Sequence, residues 1–248
     1  MIDFKYHITS LVAVFLALAI GILIGSTMVG GDVLVEQQKL MVDQLEEDFR
    51  LFRDQNRALR EELSAIRHTT DLYQTYAREI MPTMITGRLK EMTLGIINIG
   101  GEEIPQGLLD TLRLAGSKVN YYVSLDSSEH AEVTVAYIVN QLNQLDGAII
   151  FLGSANQKFS SAEYKQVTGR LINALKDNNP EMIILGTETS YDPISYLQHL
   201  QNFQIAGTID NIETIIGQTA LVFTLTGLPG NYGVKSTAQQ LLPTLMAP

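Results

Sequence analysis

The sequence lacks cysteine and tryptophan altogether and is short of cations. Among its 248 residues, 17 Lys and Arg stand against 27 Asp and Glu, a net charge of −10. Without cysteine there is no disulfide framework, thiolate zinc site, iron–sulfur cluster or cysteine nucleophile. The cation deficit argues against broad nucleic-acid binding, which needs a basic face towards phosphate. Histidine is scarce as well. His7, His68, His130 and His199 are scattered, and none sits in HExxH or beside a carboxylate in a metal pattern. GxSxG, GxGxxG and GxxxxGK[ST] are also missing. What is present is a 46% share of hydrophobic residues. That is enough for a core, and the length allows one or two domains.

Ile8 to Gly31 carries no formal charge over 24 residues. About 20 apolar residues cross a bilayer at 1.5 Å each, and no later stretch matches this one, so a single pass is expected. A cleaved signal peptide would have a shorter apolar region ending at a small-x-small site. This run is longer and has no clear Ala-x-Ala. Lys5 and His7 precede the span, whereas Asp32, Glu36, Asp43, Glu46, Glu47 and Asp48 follow it with only Lys39 for balance. The positive-inside rule then places the amino terminus in the cytoplasm and the rest outside, in the cell membrane. One face of the span repeats a small residue every four positions, Ala13, Ala17, Gly21 and Gly25. Such a row lets two helix backbones approach in lipid.

Residues 32–80 contain no glycine or proline and are rich in Glu, Gln, Arg and Leu, which favour helix. Two heptad rows run through them. Val42, Phe49, Asn56, Leu63, Thr70 and Ala77 form one, at position a. Leu45, Phe52, Leu59, Ile66, Tyr73 and Ile80 form the other, at position d. Asn56 is a lone polar residue at a, the type that fixes register in a two-stranded coil. In that frame Asp48 faces Arg53 of a parallel partner, Glu62 faces Arg67 and Gln55 faces Arg60, with no like-charge pair. The frame was set by apolar residues alone, so this agreement supports a parallel homodimer. Its interface would be Val42, Leu45, Phe49, Phe52, Asn56, Leu59, Leu63 and Ile66. The rod would reach about 70 Å at 1.5 Å per residue. Pro82, with Gly87 behind it, is expected to break it. The expected division is 1–31 for the tail and anchor, 32–81 for the coiled coil and 82–248 for a distal domain.

Beyond the rod, short apolar runs alternate with helical patterns. The spacing predicts strands at Leu94–Ile99, Val119–Leu125, Ala148–Leu152, Met182–Leu185 and Phe203–Ala206. It predicts helices at Gln106–Ala115, Glu129–Leu145, Ser160–Lys176, Pro193–Gln201 and Ile212–Leu225. This is a three-layer α/β domain with a mostly parallel sheet, Rossmann-like or flavodoxin-like in topology. Ligands of such sheets bind beyond the carboxyl ends of the strands. Gly100, Gly101, Gly153 and Gly186 lie there and mark a candidate cleft for a small-ligand sensor or an enzyme. Glu102 and Glu103 follow the first glycines and would repel phosphate. Those two, or Glu188 with Asp192, are the candidate acid–base pairs. Carboxylates in such turns are ordinarily solvated, so no catalytic residue is assigned and the chain is not read as an enzyme. Met81 and Met84 form MxxM and are the candidate Cu(I) ligands, against the ordinary reading of core filler. No other cofactor is indicated. Glycines and prolines punctuate Gly227 to Pro243. That segment reads as a shaped loop, then a short helix. It either closes the domain or presents Asn231, Tyr232 and Lys235 for docking.

The opening from Met1 to Ser26 (MIDFKYHITSLVAVFLALAIGILIGS) closely resembles the start of the bacterial MctB family, known as copper transporters or copper transport outer-membrane proteins. The segment Gly230-Asn-Tyr-Gly-Val-Lys235, with Leu241-Leu242-Pro243 after it, is similar to the family's tail. The order of anchor, coiled coil and α/β domain matches along the whole chain. The resemblance implies one of two functions. One is copper homeostasis or a pore in the envelope. The other is that of actinobacterial SteB-like members, membrane-anchored coiled-coil partners in envelope and division control. No ligand residue carries over. A transmembrane barrel needs at least eight strands of about ten alternating residues, and these runs are too few and too continuously apolar. A rod that projects a domain and joins two copies suits a scaffold or regulator with a protein partner in the envelope.

Overall fold

The computed structural model describes residues 4–100, 103–125, 131–153, 159–191 and 195–244. Two compact units divide the chain, Met1–Thr70 and Asp71–Pro248. Helix α1 (Phe4–Ile85) makes up the described part of the first and supplies the first element of the second. Its helix-favouring composition is reinforced on the surface by Arg50–Glu47 at 2.8 Å and Arg57–Glu61 at 3.0 Å. Such exposed pairs contribute only a few tenths of a kcal/mol each.

Pro82 does not break the helix, contrary to the sequence expectation. It lies inside the last turn, which continues to Ile85. Proline there removes the hydrogen bond to the Arg78 carbonyl, and Arg78 is exposed, so the freed carbonyl is accessible to solvent. Packing outweighs that loss: Ile85 and Leu89 are fully buried in the core, and Met81 and Met84 pack against it. The true stop is Gly87, at φ +72°, where a side chain would be strained. Thr86 closes the turn by donating from N and Oγ1 to the Pro82 carbonyl, at 3.0 and 2.6 Å.

The second unit is a doubly wound sheet. In chain order its elements are β1 (Thr93–Ile99), α2 (Gln106–Leu114), β2 (Lys118–Leu125), α3 (Ala131–Leu142), β3 (Gly147–Leu152) and α4 (Ser161–Asn178). Then come β4 (Ile183–Thr187), α5 (Leu197–Leu200), β5 (Gly207–Ile209), α6 (Ile215–Leu225) and β6 (Gly230–Tyr232). Strand order is β2-β1-β3-β4-β5-β6, and every pair is parallel. The first five follow the flavodoxin-type order, with the switch point between β1 and β3. Strand residues alternate between two cores. Ile97, Ile99, Ile150 and Leu152 face α3, α4 and α5, whereas Leu94, Ile96, Ile149 and Phe151 face α2, α6 and the end of α1. α6 is buried around its whole circumference from Gly217 to Leu225, and its Gln218 accepts from Thr111 Oγ1 at 2.7 Å. α4 starts with a capping box: Ser160 Oγ accepts from Glu163 N, and Glu163 accepts from Ser160 N.

The carboxyl-terminal third departs from expectation. Phe203–Ala206 is a turn rather than a strand. Phe203 and Ile205 pack onto the α3–α5 core, with Phe203 edge-on to His199 at 5.2 Å. The fifth strand starts at Gly207, because a Cβ there would collide with the Gly230 carbonyl on β6. The expected short helix in the tail is replaced by β6 and an irregular segment, which Gln239 N and Gly233 N fasten to the Asn231 and Gln240 carbonyls.

Candidate functional site

Three features merit attention: the faces of α1, the carboxyl rim of the sheet, and the tail that crosses that rim.

On α1, Val42, Leu45, Phe49, Phe52, Leu59, Leu63 and Ile66 are 48–63% exposed, and Asn56 among them is half-buried. At 3.6 residues per turn they share one face. Among the described residues nothing covers it. Nearer the amino terminus, Lys5–Ser26 is apolar and long enough to cross a membrane, with mean hydropathy 2.6. Ala13, Ala17, Gly21 and Gly25 lie along it. A Cβ at Gly21 or Gly25 would touch nothing within 4 Å, so the chain's own packing does not require these glycines.

At the rim, the sequence pointed to glycines and the structure points to Tyr164. Its hydroxyl, carried in by the first turn of α4, donates within reach of the Ile99 carbonyl (3.2 Å) and the Gly153 carbonyl. Gly100 is at φ +105°, and a Cβ on it would strike Gly153 O and Tyr164 Oη. The ring of Tyr164 stacks on Tyr196 with centroids 4.3 Å apart and leans on Phe159 at 5.1 Å. The switch point between β1 and β3 is thus filled by an aromatic side chain. Gly101 lies outside the described residues. Gly186 sits in β4 against Leu197 and Leu200, where its lack of a side chain serves packing.

The chemistry at the rim lies farther along, at the ends of β4 and β5, and corrects one sequence reading. Glu188 is not solvated. It is 1% exposed, and its Oε1 meets Lys235 Nζ at 2.8 Å while Oε2 accepts from Tyr196 N at 3.1 Å. Burial pushes its carboxyl above the ordinary glutamate value, with Lys235 and the Tyr196 N–H pulling it partway back. Asp210, also 1% exposed, accepts from Val234 N at 2.7 Å and Lys235 N at 3.0 Å. Glu213 takes up Ser190 through its N–H (3.1 Å) and hydroxyl. Asp192 lies outside the described residues. Each of these three carboxylates thus holds a neighbouring loop or the tail in place.

The tail motif supplies the other half of this closure. Gly207 lets the Gly230 carbonyl come close, a Cβ on Gly230 would strike the Tyr232 ring, and Asn231 Oδ1 accepts from Thr208 Oγ1 at 2.9 Å. Tyr232 is buried, with its hydroxyl on the Leu228 carbonyl at 3.1 Å. A Cβ at Gly233 would hit the Asp210 carboxylate. Asn231, Tyr232 and Lys235, the candidate docking residues, therefore face inward. Met81 and Met84 are partly buried against the core, and among the described residues no group of three His, Cys, Asp or Glu is placed to hold a metal. At the amino ends of the strands lies a hollow of about 570 Å³ whose lining includes Lys90, Met92, Asn143 and Asp146. Asp146 is already engaged: its Oδ2 accepts from Thr93 N and Thr93 Oγ1, both at 2.7 Å, which holds its carboxyl below the usual value.

A family model described as copper transport outer membrane protein, MctB, matches residues 1–144 and 129–243. The chain belongs to the MctB family. The match spans the apolar helix, the remainder of α1 and the whole α/β unit, including the tail motif that closes the rim. No curated protein matches this MctB chain at a significant level. The family's description speaks of an outer membrane. In this member the described strands form an open parallel sheet of three- to eight-residue strands between helical layers, which is not a transmembrane barrel. The segment fit to enter a bilayer is the helix Lys5–Ser26.

Proposed function

We propose that this MctB protein is a single-pass, membrane-anchored dimeric scaffold or regulator in the cell envelope. Lys5–Ser26 holds it in the membrane with the amino terminus cytoplasmic. The Val42–Ile66 face joins two copies as a parallel coiled coil, and the α/β unit meets a protein partner outside. The observation that carries this reading is the apolar row on α1, left open at heptad spacing. Burying seven such side chains is worth on the order of 10 kcal/mol before ordering costs. Asn56 sets the register, and Asp48–Arg53 and Glu62–Arg67 set the orientation.

Charge reversal tests it. Arg53→Glu with Arg67→Glu should weaken the dimer, and adding Asp48→Arg with Glu62→Arg should restore it. The readout is mass by light scattering on the detergent-solubilised chain. A monomer in every form ends this reading.

Copper homeostasis is the second reading, favoured by the family's description. Its candidate ligands are the Met81 and Met84 thioethers. It expects stoichiometric Cu(I) uptake that Met81→Leu with Met84→Leu abolishes. The scaffold reading expects those substitutions to change neither metal content nor mass.

A further inference from the structure

The start of α4 and the segment around α5 enclose a groove of about 410 Å³, within the range of small-molecule sites. α4 contributes Ser161 and Lys165, and the α5 segment contributes Tyr196, Gln198, His199 and Asn202 among others. The chain carries 27 acidic residues and is 46% hydrophobic. Even so, the described residues that line the groove include no carboxylate and no aliphatic side chain, and Lys165 is their one cation. Each absence narrows the occupant. Without a carboxylate there is no counter-charge for an amine and no hard ligand for a metal ion. Without aliphatic groups there is little to attract a lipid tail. A single lysine gives a polyanion little to hold. An extended peptide would need an open strand edge or apolar side-chain pockets, and these helical segments supply neither. The hydroxyl, amide and phenol groups that remain match a neutral ligand rich in hydroxyl groups.

We propose that this groove binds a neutral saccharide, with a sugar ring laid on Tyr196 and its hydroxyl groups held by Ser161, Gln198 and Asn202. The platform is in place before any ligand arrives. Tyr196 is half-buried, and its ring stacks on Tyr164 with centroids 4.3 Å apart. Its N–H donates to the buried Glu188 carboxylate at 3.1 Å. His199 Nε2 lies 3.1 Å from the Lys165 carbonyl and ties α5 to α4. Gln201 turns its amide inward, donating to Thr208 Oγ1 at 3.3 Å and to the Thr237 carbonyl at 3.0 Å. Ser161, Gln198 and Asn202 are instead exposed, and among the described residues no hydrogen bond engages their side chains. A fixed aromatic floor beside uncommitted hydroxyl and amide groups is what a pyranose requires. Its C–H face packs on the aromatic ring, and its hydroxyls donate and accept around the edge. Every residue used belongs to the α/β unit, so the inference stands apart from the rod dimer. It goes beyond the scaffold reading by giving that unit a carbohydrate to hold as well as a protein partner.

The test uses the full chain in lauryldimethylamine oxide, a detergent without a sugar headgroup. The probes are cellotetraose and the corresponding tetramer of N-acetylglucosamine, both neutral. Saturation-transfer NMR should show at least one of them in contact with the protein, and titration should saturate. Gln198→Ala with Asn202→Ala, both at exposed positions, should weaken binding about tenfold. Gln166→Ala, exposed on α4 outside the groove, should leave it unchanged, and Lys165→Met should cost less than the double variant. The chain has no tryptophan. Tyr196→Trp therefore puts a sole indole in the groove, and its emission should shift as the probe is added. Pelleting with insoluble cellulose and chitin separates the sources. Capture on the polymer means that an internal stretch of glycan fits, and binding of the tetramers alone means that a free oligosaccharide or a chain end does. The inference is overturned if the unaltered chain binds neither probe, if the double variant binds as well as the unaltered chain, or if inorganic phosphate displaces the probe in a way that Lys165→Met abolishes.

Discussion

Removing Lys235 should cost far more than removing the charge it neutralises. Lys235→Met leaves Glu188 1% exposed, with the Tyr196 N–H still donating but no cation within reach. Stripping one partner from a buried pair costs about 3–5 kcal/mol. For a unit of this size, 3 kcal/mol lowers Tm by about 6–12 °C. The opposite change is milder. Glu188→Gln keeps an acceptor for Tyr196 and leaves the Lys235 ammonium, whose side chain is 15% exposed, able to reach water. Its cost should be about 1 kcal/mol. The double variant should fall well short of the sum, since the penalty in Lys235→Met belongs to the orphaned carboxylate.

The pH dependence follows from the same burial. A carboxyl held above its ordinary value binds its proton more readily in the fold than in the unfolded chain. Its contribution is therefore present below the ordinary glutamate value and lost as pH rises through the elevated one. That loss should be steeper in Lys235→Met, where the opposing cation is gone. Thermal melts followed by near-ultraviolet tyrosine dichroism, between pH 4 and pH 8, read both effects. Equal losses from Lys235→Met and Glu188→Gln at neutral pH, or strict additivity in the double variant, would refute the reasoning.

Three further outcomes are expected. Gly207→Ala should destabilise the unit by about 3 kcal/mol by driving a methyl group into the Gly230 carbonyl. It should also free the tail for limited proteolysis after Tyr232, and an intact tail would contradict this. Asp146→Asn should cost about 0.5–1 kcal/mol by weakening the charged acceptor of Thr93, since water screens this exposed side chain. The wild-type contribution should be present above the ordinary aspartate value and vanish as pH falls through the lowered one, which urea melts at pH 7 and pH 3 can check. Gly21→Ile with Gly25→Ile should weaken self-association of the isolated apolar segment in a membrane two-hybrid reporter, because both positions are open on this chain. An unchanged signal would remove the small-residue row from the assembly.

Legibility in the sequence followed the range of the interactions involved. The apolar amino-terminal helix, β1 to β4, α2 and α4 were readable because each announces itself within its own residues, through an apolar run, a helical period or the Ser160–Glu163 box. β5 and β6 have no such run. They are glycine-led and become strands only because Gly207 and Gly230 fit against each other. Pro82 misled because its local penalty is smaller than the burial of Ile85 that follows it. Glu188 looked solvated because its partner is 47 residues away in sequence. Its burial is decided by the tail's return across the sheet. Tyr164 gave no signal, since one tyrosine in the first turn of a helix has many ordinary uses. Only the fold shows that its hydroxyl lands between the ends of β1 and β3.

Tyr164 also bears on how the domain's stability responds to its surroundings. Where a fold of this type holds a ligand at the switch point, its folded population rises with the ligand's concentration as RT ln(1 + [L]/Kd). Here the group that satisfies the Ile99 and Gly153 carbonyls is covalently part of the chain. Its concentration is fixed by the loop that carries it and cannot be diluted, depleted or competed away by a change in the medium. For these two carbonyls the linkage term becomes a constant: their hydrogen bonds to Tyr164 hold alike in a compartment with scarce small molecules and in one that is rich in them.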